Sequence, residues 1–496
     1  MEQGIFQDIA GTKVTHSNLD LSHQVLQTLN QGWLVPNLVM DVVPDDSVNI
    51  NTEMLVRLSP MIGPTMERIN VKQYYFFVPN RLVWPEWEDF ITGGDDGYAQ
   101  PTMPTKSPNN IDMCKPGTLW DYMGLPAHPV AQPVQSGWNP VQVLPFAAYH
   151  LIWSEYFRDE NLQEAVDIGE IITDNAALFS LRKKAWEKDY FTSALPWAQK
   201  GPVVTLPIKW NPEYHEYSIA VNEDGTAPQA QDYITILSQT GELINNNDNA
   251  NRIRIENLQV DQEQLTLTVN DQRTANRLQE WLEKQARGGS RYIETILSHF
   301  GVRSSDSRLQ RPEYLGGGSQ PVVMTEVLQS VGNSQDPDVA APLGAMGGHG
   351  ISMGSDMSCS RTFEEHGWLI GLQCILPRTT YFQGTDRKFT RMDKHEYYWP
   401  SFANLGEQEV KNKEIFHALQ PGSDAVNEAT FGYQQRYAEY KYMQSRIAGD
   451  FQVDNQYLEW HEARVFASTP TLGSDFISCE TDDRDRKSTR LNSSHD

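Results

Sequence analysis

The sequence is short of cysteine, of long apolar runs and of basic residues, and each shortage removes a class of protein. Its four cysteines, Cys114, Cys359, Cys374 and Cys479, are too few and too scattered for a disulfide framework or a paired-cysteine zinc site, so buried free thiols are expected. The most apolar stretch, Trp368 to Leu376, is about half of the ~18–20 residues that cross a bilayer, and no membrane insertion is predicted. Met1 to Gly11 carries Glu2 and Asp8 with no basic region ahead of an apolar one, which argues against a secretory signal and for cytosolic synthesis. Lys and Arg number 40 against 65 Asp and Glu, a formal charge of −25 that disfavours tight polyphosphate binding by the chain as a whole. Only local basic patches remain for such a role.

Catalytic motifs are equally scarce. Three His-Glu pairs start at His215, His395 and His461, but the positions where a zinc protease needs its second histidine hold Ile219, Trp399 and Val465. No glycine-rich loop ends in Gly-Lys-Ser/Thr, and no serine nucleophile elbow is expected. Adjacent acids such as Glu364 and Glu365 read as a solvated edge. No cofactor is expected, and the scattered acids single out no metal site.

What is present reads mainly as β. "INVKQYYFFVP", Ile69 to Pro79, alternates and then turns continuously apolar, as a buried strand does, with Met54 to Leu58 as a shorter strand before it. Gly93 to Pro145 is punctuated by Pro, Gly, Asn and Asp, a long loop of the kind that meets other chains. Phe146, Tyr149, Trp153, Tyr156 and Phe157 recur at helical spacing, with Pro145 in the first turn, and predict a helix to about Asn161. A second helical pattern runs from Leu278 through Trp281 and Leu282 to Phe300, interrupted at Gly288 and Gly289. Val203 to Ile208 looks like a strand. Gly316 to Gly318 and Gly344 to Gly354 are low-complexity stretches, expected to be mobile or wedged against a neighbour.

From Pro212 to Asp271 eleven acids face two arginines, yet "YITIL" and "QLTLTV" look like strands. The segment is a small exposed β insertion or a solvated loop, and composition favours neither. The chain thus divides into 1–211, the acidic insertion 212–271, a second β-rich part 272–480 and a tail, 481–496, with no hydrophobic face and no expected order. Strands separated by long loops, few helices and no βαβ alternation favour a β-sandwich or jelly roll with large insertions. Two basic clusters interleave with aromatics: Arg308, Arg311 and Tyr314, then Arg387, Lys388 and Arg391. Such groups suit single-stranded nucleic acid, and salt bridges in a subunit interface suit them as well.

Several blocks together resemble the major capsid proteins of the Microviridae, most of all the gokushovirus-like branch. They are "QYYFFVPNRLVWPEWEDF" (Gln73 to Phe90), "YHLIWSEYFRDENLQ" (Tyr149 to Gln163), "GGSRYIETILSHFGVRSSDSRLQRPEYLGG" (Gly288 to Gly317), "YFQGTDRKFTRMDKHEYYWPSFANLGEQ" (Tyr381 to Gln408) and "FGYQQRYAEYKYMQSRIAGDF" (Phe431 to Phe451). The stretch before Gly32 and the ending "RKSTRLNSSHD" depart from that pattern. The resemblance implies an eight-stranded viral jelly roll with long inserted loops. It implies a non-enzymatic subunit of a T=1 shell around circular single-stranded DNA, with the 212–271 insertion at the threefold axes. Expected partners are further copies of the chain, the packaged DNA through local contacts, a small basic DNA-binding virion protein and a receptor on the bacterial surface. Expected location is the virion, after synthesis in the host cytoplasm. Two rivals, a carbohydrate-active β-sandwich and a DNA-processing protein, would need paired acids in a cleft and a basic groove with metal-binding carboxylates respectively.

Overall fold

The computed structural model describes residues 16–59, 61, 63–95, 98–108, 110–127, 140–202, 204, 220–221, 234–236, 243–245, 254–255, 269–289, 291–328, 346–403, 405–452, 457 and 460–480. The chain forms two compact units, one from 1–197 with 290–496 and one from 198–289.

Among the described residues the two larger sheets of the first unit are formed by eight strands: Trp33–Val42 (β1), Ser47–Arg57 (β2), Ile69–Pro79 (β3), Arg182–Lys183 (β4), Glu313–Pro321 (β5), Val323–Leu328 (β6), Met346–Thr362 (β7) and Gly367–Pro377 (β8). They pair antiparallel as a five-stranded sheet, β5-β3-β8-β1-β4, and a three-stranded sheet, β6-β7-β2. This is the eight-stranded sandwich expected of a viral jelly roll.

Alternation along β3 explains why the sheets stack. Ile69 and Val71 pack with Met54, Val56 and Leu58 from β2 and its end, and Phe77 packs with Val48 and Ile50, so one face of β3 meets the three-stranded sheet. Tyr74, Phe76 and Val78 point the other way, into the largest core cluster. That cluster is closed by a helix, Leu144–Ile152 (α1), which continues as a wider turn over Trp153–Phe157. Phe146, Ala147, Ala148, Tyr149 and Ile152 are all buried, so α1 is a core helix rather than a surface one. The Tyr149 hydroxyl donates to the Leu34 carbonyl at 2.8 Å and accepts from the Arg182 amide at 2.9 Å, stapling α1 to β1 and β4. Arg158 is already extended, so the helix ends short of Asn161.

Two regions are more regular than the sequence pattern suggests. The glycine-rich stretches are strands, and of the two expectations for them the wedged one fits: Gly316 to Gly318 lie in β5, and Met346–Thr362 is a 17-residue strand. A Cβ on Gly348 would sit 2.6 Å from the Pro64 Cα and 2.7 Å from the Gly63 carbonyl oxygen, so glycine here lets two backbones touch. Gly344 and Ala345 lie outside the described residues. The loop from Gly93 to Pro145 folds onto its own core, placing Cys114, Leu119, Trp120 and Val143 in the α1 cluster; residues 128–139 lie outside the described ones.

All four cysteines are buried and free. Burial pushes the Cys114 thiol up to about 11 and the Cys374 thiol up to about 12, which keeps both unreactive.

The second unit contains the whole acidic segment. It shows two short antiparallel pairs, Ala220–Val221 with Arg254–Ile255 and Ile234–Ile236 with Leu243–Asn245, and a helix, Val269–Gly288 (α2). "YITIL" does contain a strand. Asp271 belongs to α2, which starts well before Leu278. Most of "QLTLTV", most of Val203 to Ile208 and the whole tail from Thr481 lie outside the described residues. A separate helix, Tyr292–Phe300 (α3), follows in the first unit, ending on Gly301 in the left-handed conformation.

Candidate interaction surfaces

Both basic clusters sit in the first unit, and among the described residues no ion pair or hydrogen bond joins one to the other. Arg311 is mostly buried: its Nε lies 3.4 Å from Asp306, and its guanidinium stacks 4.1 Å above the Tyr156 ring. Tyr314 is half-exposed, its ring 5.3 Å from Phe76. Arg308 is exposed. Arg311 and Tyr314 help line a cavity of ≈ 740 Å³ in which four arginines, Arg291, Arg303, Arg311 and Arg361, face four carboxylates. Its charge cancels, so it is a poor sink for phosphate.

The second cluster is knitted to a hairpin of Glu407–Lys411 (β9) and Thr430–Gln435 (β10) and the turns beside it. Arg387 donates to the Glu409 carbonyl at 2.7 Å and pairs with Glu414 at 3.3 Å, while Arg391 pairs with Glu439 at 3.1 Å and lies 4.3 Å over Tyr440. Burial alone would lower the Arg387 guanidinium, but Glu414, Tyr190 and Glu439 hold it above its ordinary value. Burial raises Glu414 despite Arg387 and the Lys411 amide. Lys388 is exposed and pairs with Asp386 at 2.6 Å. Arg311, Arg387, Lys388 and Arg391 therefore each have a partner acid inside the subunit, leaving Arg308 and Tyr314 as the open members.

Around the second cluster Phe389, Tyr397, Tyr398, Trp399 and Tyr440 are exposed, a concentration of aromatics beside arginine that resembles the anchors of protein interfaces. The sequence from Phe363 to Phe476 is dense in aromatics, and that density is the local signal for such a patch. Two further arginines, Arg68 and Arg378, meet at one end of the five-stranded sheet. Nothing local in the sequence marks them.

A Gly-x-Ser-x-Gly string does occur, at Gly350 to Gly354. Its serine lies mid-strand in β7, buried, with the hydroxyl donating to the Pro321 carbonyl at 2.8 Å, whereas a nucleophile elbow needs an exposed serine on a strand-to-helix turn. Among the described residues no group of three or more His, Cys, Asp or Glu could hold a metal ion, and no helix is long and apolar enough to cross a membrane.

The chain is similar to known phage proteins over nearly its whole length. A family model described as capsid protein (F protein) matches residues 7–492, taking in most of the opening and much of the tail that depart from the sequence pattern above. Capsid protein VP1 of Chlamydia phage 1 is 33% identical over 554 residues, covering 96% of this chain and 91% of that protein. Capsid protein VP1 of Bdellovibrio phage phiMH2K is 33% identical over 507 residues, and that of Spiroplasma virus 4 is 30% identical over 513, each covering 97% of this chain and 91% of the relative.

Proposed function

The chain belongs to the capsid protein (F protein) family of the microviruses, and from that premise we propose that identical copies of it close a T=1 icosahedral shell around circular single-stranded DNA. The family match along residues 7–492 carries this reading. The relatives are structural capsid proteins, so the chain is a virion component and not an enzyme. A closed shell repeats a few contacts by symmetry, and the exposed aromatics around Trp399 suit one of them.

Charge organises the rest of the proposal. Eleven acids against two arginines in 212–271 would repel enclosed DNA, which favours an outward insertion, at the threefold axes and available for a bacterial surface receptor. A formal charge of −25 per subunit leaves the packaged phosphates to a separate small basic virion protein, with the capsid chain adding local contacts. Synthesis would be in the host cytoplasm.

Electron microscopy of the purified chain tests the core claim. Shells or rings of uniform diameter are expected, and monodisperse monomers under every condition tried would defeat it. Replacing 212–271 with a short Gly/Ser linker should leave shells intact and reduce adsorption to host cells; undiminished adsorption would remove the receptor role.

A further inference from the structure

In the five-stranded sheet β3 and β8 end together, with Ile69 opposite Pro377. The next residue outward on each strand is an arginine, and the Arg378 amide donates to the Arg68 carbonyl at 2.9 Å. Both side chains are exposed, and among the described residues neither makes an ion pair or side-chain hydrogen bond. Like charges held side by side on neighbouring strands destabilise each other unless an anion lies between them.

The acids nearby are already engaged. Arg68 and Arg378 line a cavity of ≈ 260 Å³ with Asn70, Lys188, Thr379 and Tyr442, and its two acids are Glu187 and Asp189. Glu187 is bonded to Lys72, which holds its carboxyl below the usual range, with smaller help from Lys184 and Arg378. Asp189 accepts from the Thr379 hydroxyl at 2.7 Å and the Tyr381 hydroxyl at 2.9 Å on one oxygen. On the other it accepts from the amides of Phe191 at 2.9 Å and Thr192 at 2.8 Å. Lys188 is likewise paired, with Asp159, and the donors to Asp189 are neutral and leave its charge uncancelled, so the lining has three cations to two acids, one positive charge in excess. The cavity beside Arg311, four arginines to four acids, has none.

We infer that the Arg68–Arg378 cleft binds a phosphate group of single-stranded DNA. Two guanidiniums on a rigid sheet end offer the forked donors that a phosphodiester takes bidentately, and a screening length of about 8 Å lets such a patch act despite the acidic chain around it. The inference rests on the shell reading for the source of the DNA.

The test is fluorescence anisotropy of a labelled oligodeoxythymidylate on the full-length chain, with electron microscopy of the same preparations. For R68Q/R378Q the affinity should fall about fivefold or more, and the slope of log affinity against log salt should shrink by about 0.7, the value of one phosphate contact. Its melting temperature should hold or rise, because the repulsion is gone. R68K and R378K keep the charge and guard against misfolding, and each should weaken binding about twofold through loss of the bidentate fork. Unchanged affinity in the folded double variant, or in both lysine variants, overturns the cleft while leaving the shell reading intact. Lost assembly with DNA binding preserved overturns it too, by assigning the arginines to a carboxylate of a neighbouring copy. Inorganic phosphate that displaces the oligonucleotide at equal phosphate concentration would assign the cleft to free phosphate and overturn the DNA part. A wild-type chain that binds the oligonucleotide through this cleft yet never forms particles would count against the shell alone.

Discussion

The five-stranded and three-stranded sheets face different surroundings, and their strands are written accordingly. The first is covered on both faces, by the other sheet and by α1, and β3 and β8 are near-continuous apolar runs. The second is covered on one face only. In β2 exposed and half-buried residues alternate without a break from Ser47 to Arg57. Its outer face leaves Leu55, Val323 and Met353 exposed at 55%, 62% and 78%. The number of layers packed on a strand sets its pattern, so the inner sheet holds the stability and the outer face is free for other contacts.

Paired truncations should break or confirm that contrast most strongly. Phe76 is 1% exposed and meets Tyr156, Phe157 and Tyr314 on the α1 side. Phe76→Ala should cost about 3–5 kcal/mol, read from the urea midpoint. Leu55→Ala, on the outer face, should cost about 0.5 kcal/mol or less. A loss at Leu55 as large as at Phe76 would show that the outer face is covered in the soluble chain as well.

The α1 layer also buries a titratable side chain. His150 is fully buried; its Nε2 faces the Leu178 carbonyl at 2.9 Å, and its Nδ1 accepts from Arg182 Nε at 3.1 Å, which fixes the neutral ring with its proton on Nε2. Burial first, then the Arg182 charge, lower its pKa from 6.5 to about 3, against the Leu178 bond. The folded value is depressed, so this stability is present above pH 6.5 and is lost as pH falls toward 3. At ~1.4 kcal/mol per pKa unit the loss is at most a few kcal/mol. His150→Gln should flatten the stability profile across that window, measured by urea unfolding at stepped pH. An unchanged acid limb would place the acid sensitivity elsewhere.

Legibility in the sequence follows the same layering. Ile69 to Pro79 and Trp368 to Leu376 are readable as strands because two-sided burial makes long apolar runs, and the structure places β3 and β8 there. β7 was not readable. Its glycines answer to Gly63, Pro64 and Leu58, nearly 300 residues earlier, and locally they look like a flexible stretch. The candidate sites fail for the same reason. Arg387 and Arg391 look free for DNA until Glu414 and Glu439 arrive beside them. Arg68 and Arg378 look isolated until the register of Ile69 with Pro377 brings them together.

The smallest expected effect sharpens the comparison from inside β7, on the covered side of the thinner sheet. Neither Gly348 nor Gly350 has a positive φ, so alanine at either site meets no backbone strain, and only the neighbours decide. At Gly348 the neighbours are the backbones of Gly63 and Pro64, which cannot swing aside. At Gly350 they are the Leu58 side chain at 2.8 Å and the Met324 sulfur at 3.0 Å, which can change rotamer. Alanine also removes about 0.4–1 kcal/mol of unfolded-state freedom in both cases. Gly348→Ala should therefore still lose about 1–3 kcal/mol, and Gly350→Ala less than about 1 kcal/mol, by the same urea midpoint. Equal losses would mean that the covered face is as rigid at its side chains as at its backbone. A neutral Gly348→Ala would mean that β7 and the Gly63 turn do not close on each other in solution, and the three-stranded sheet would then be loose on both faces.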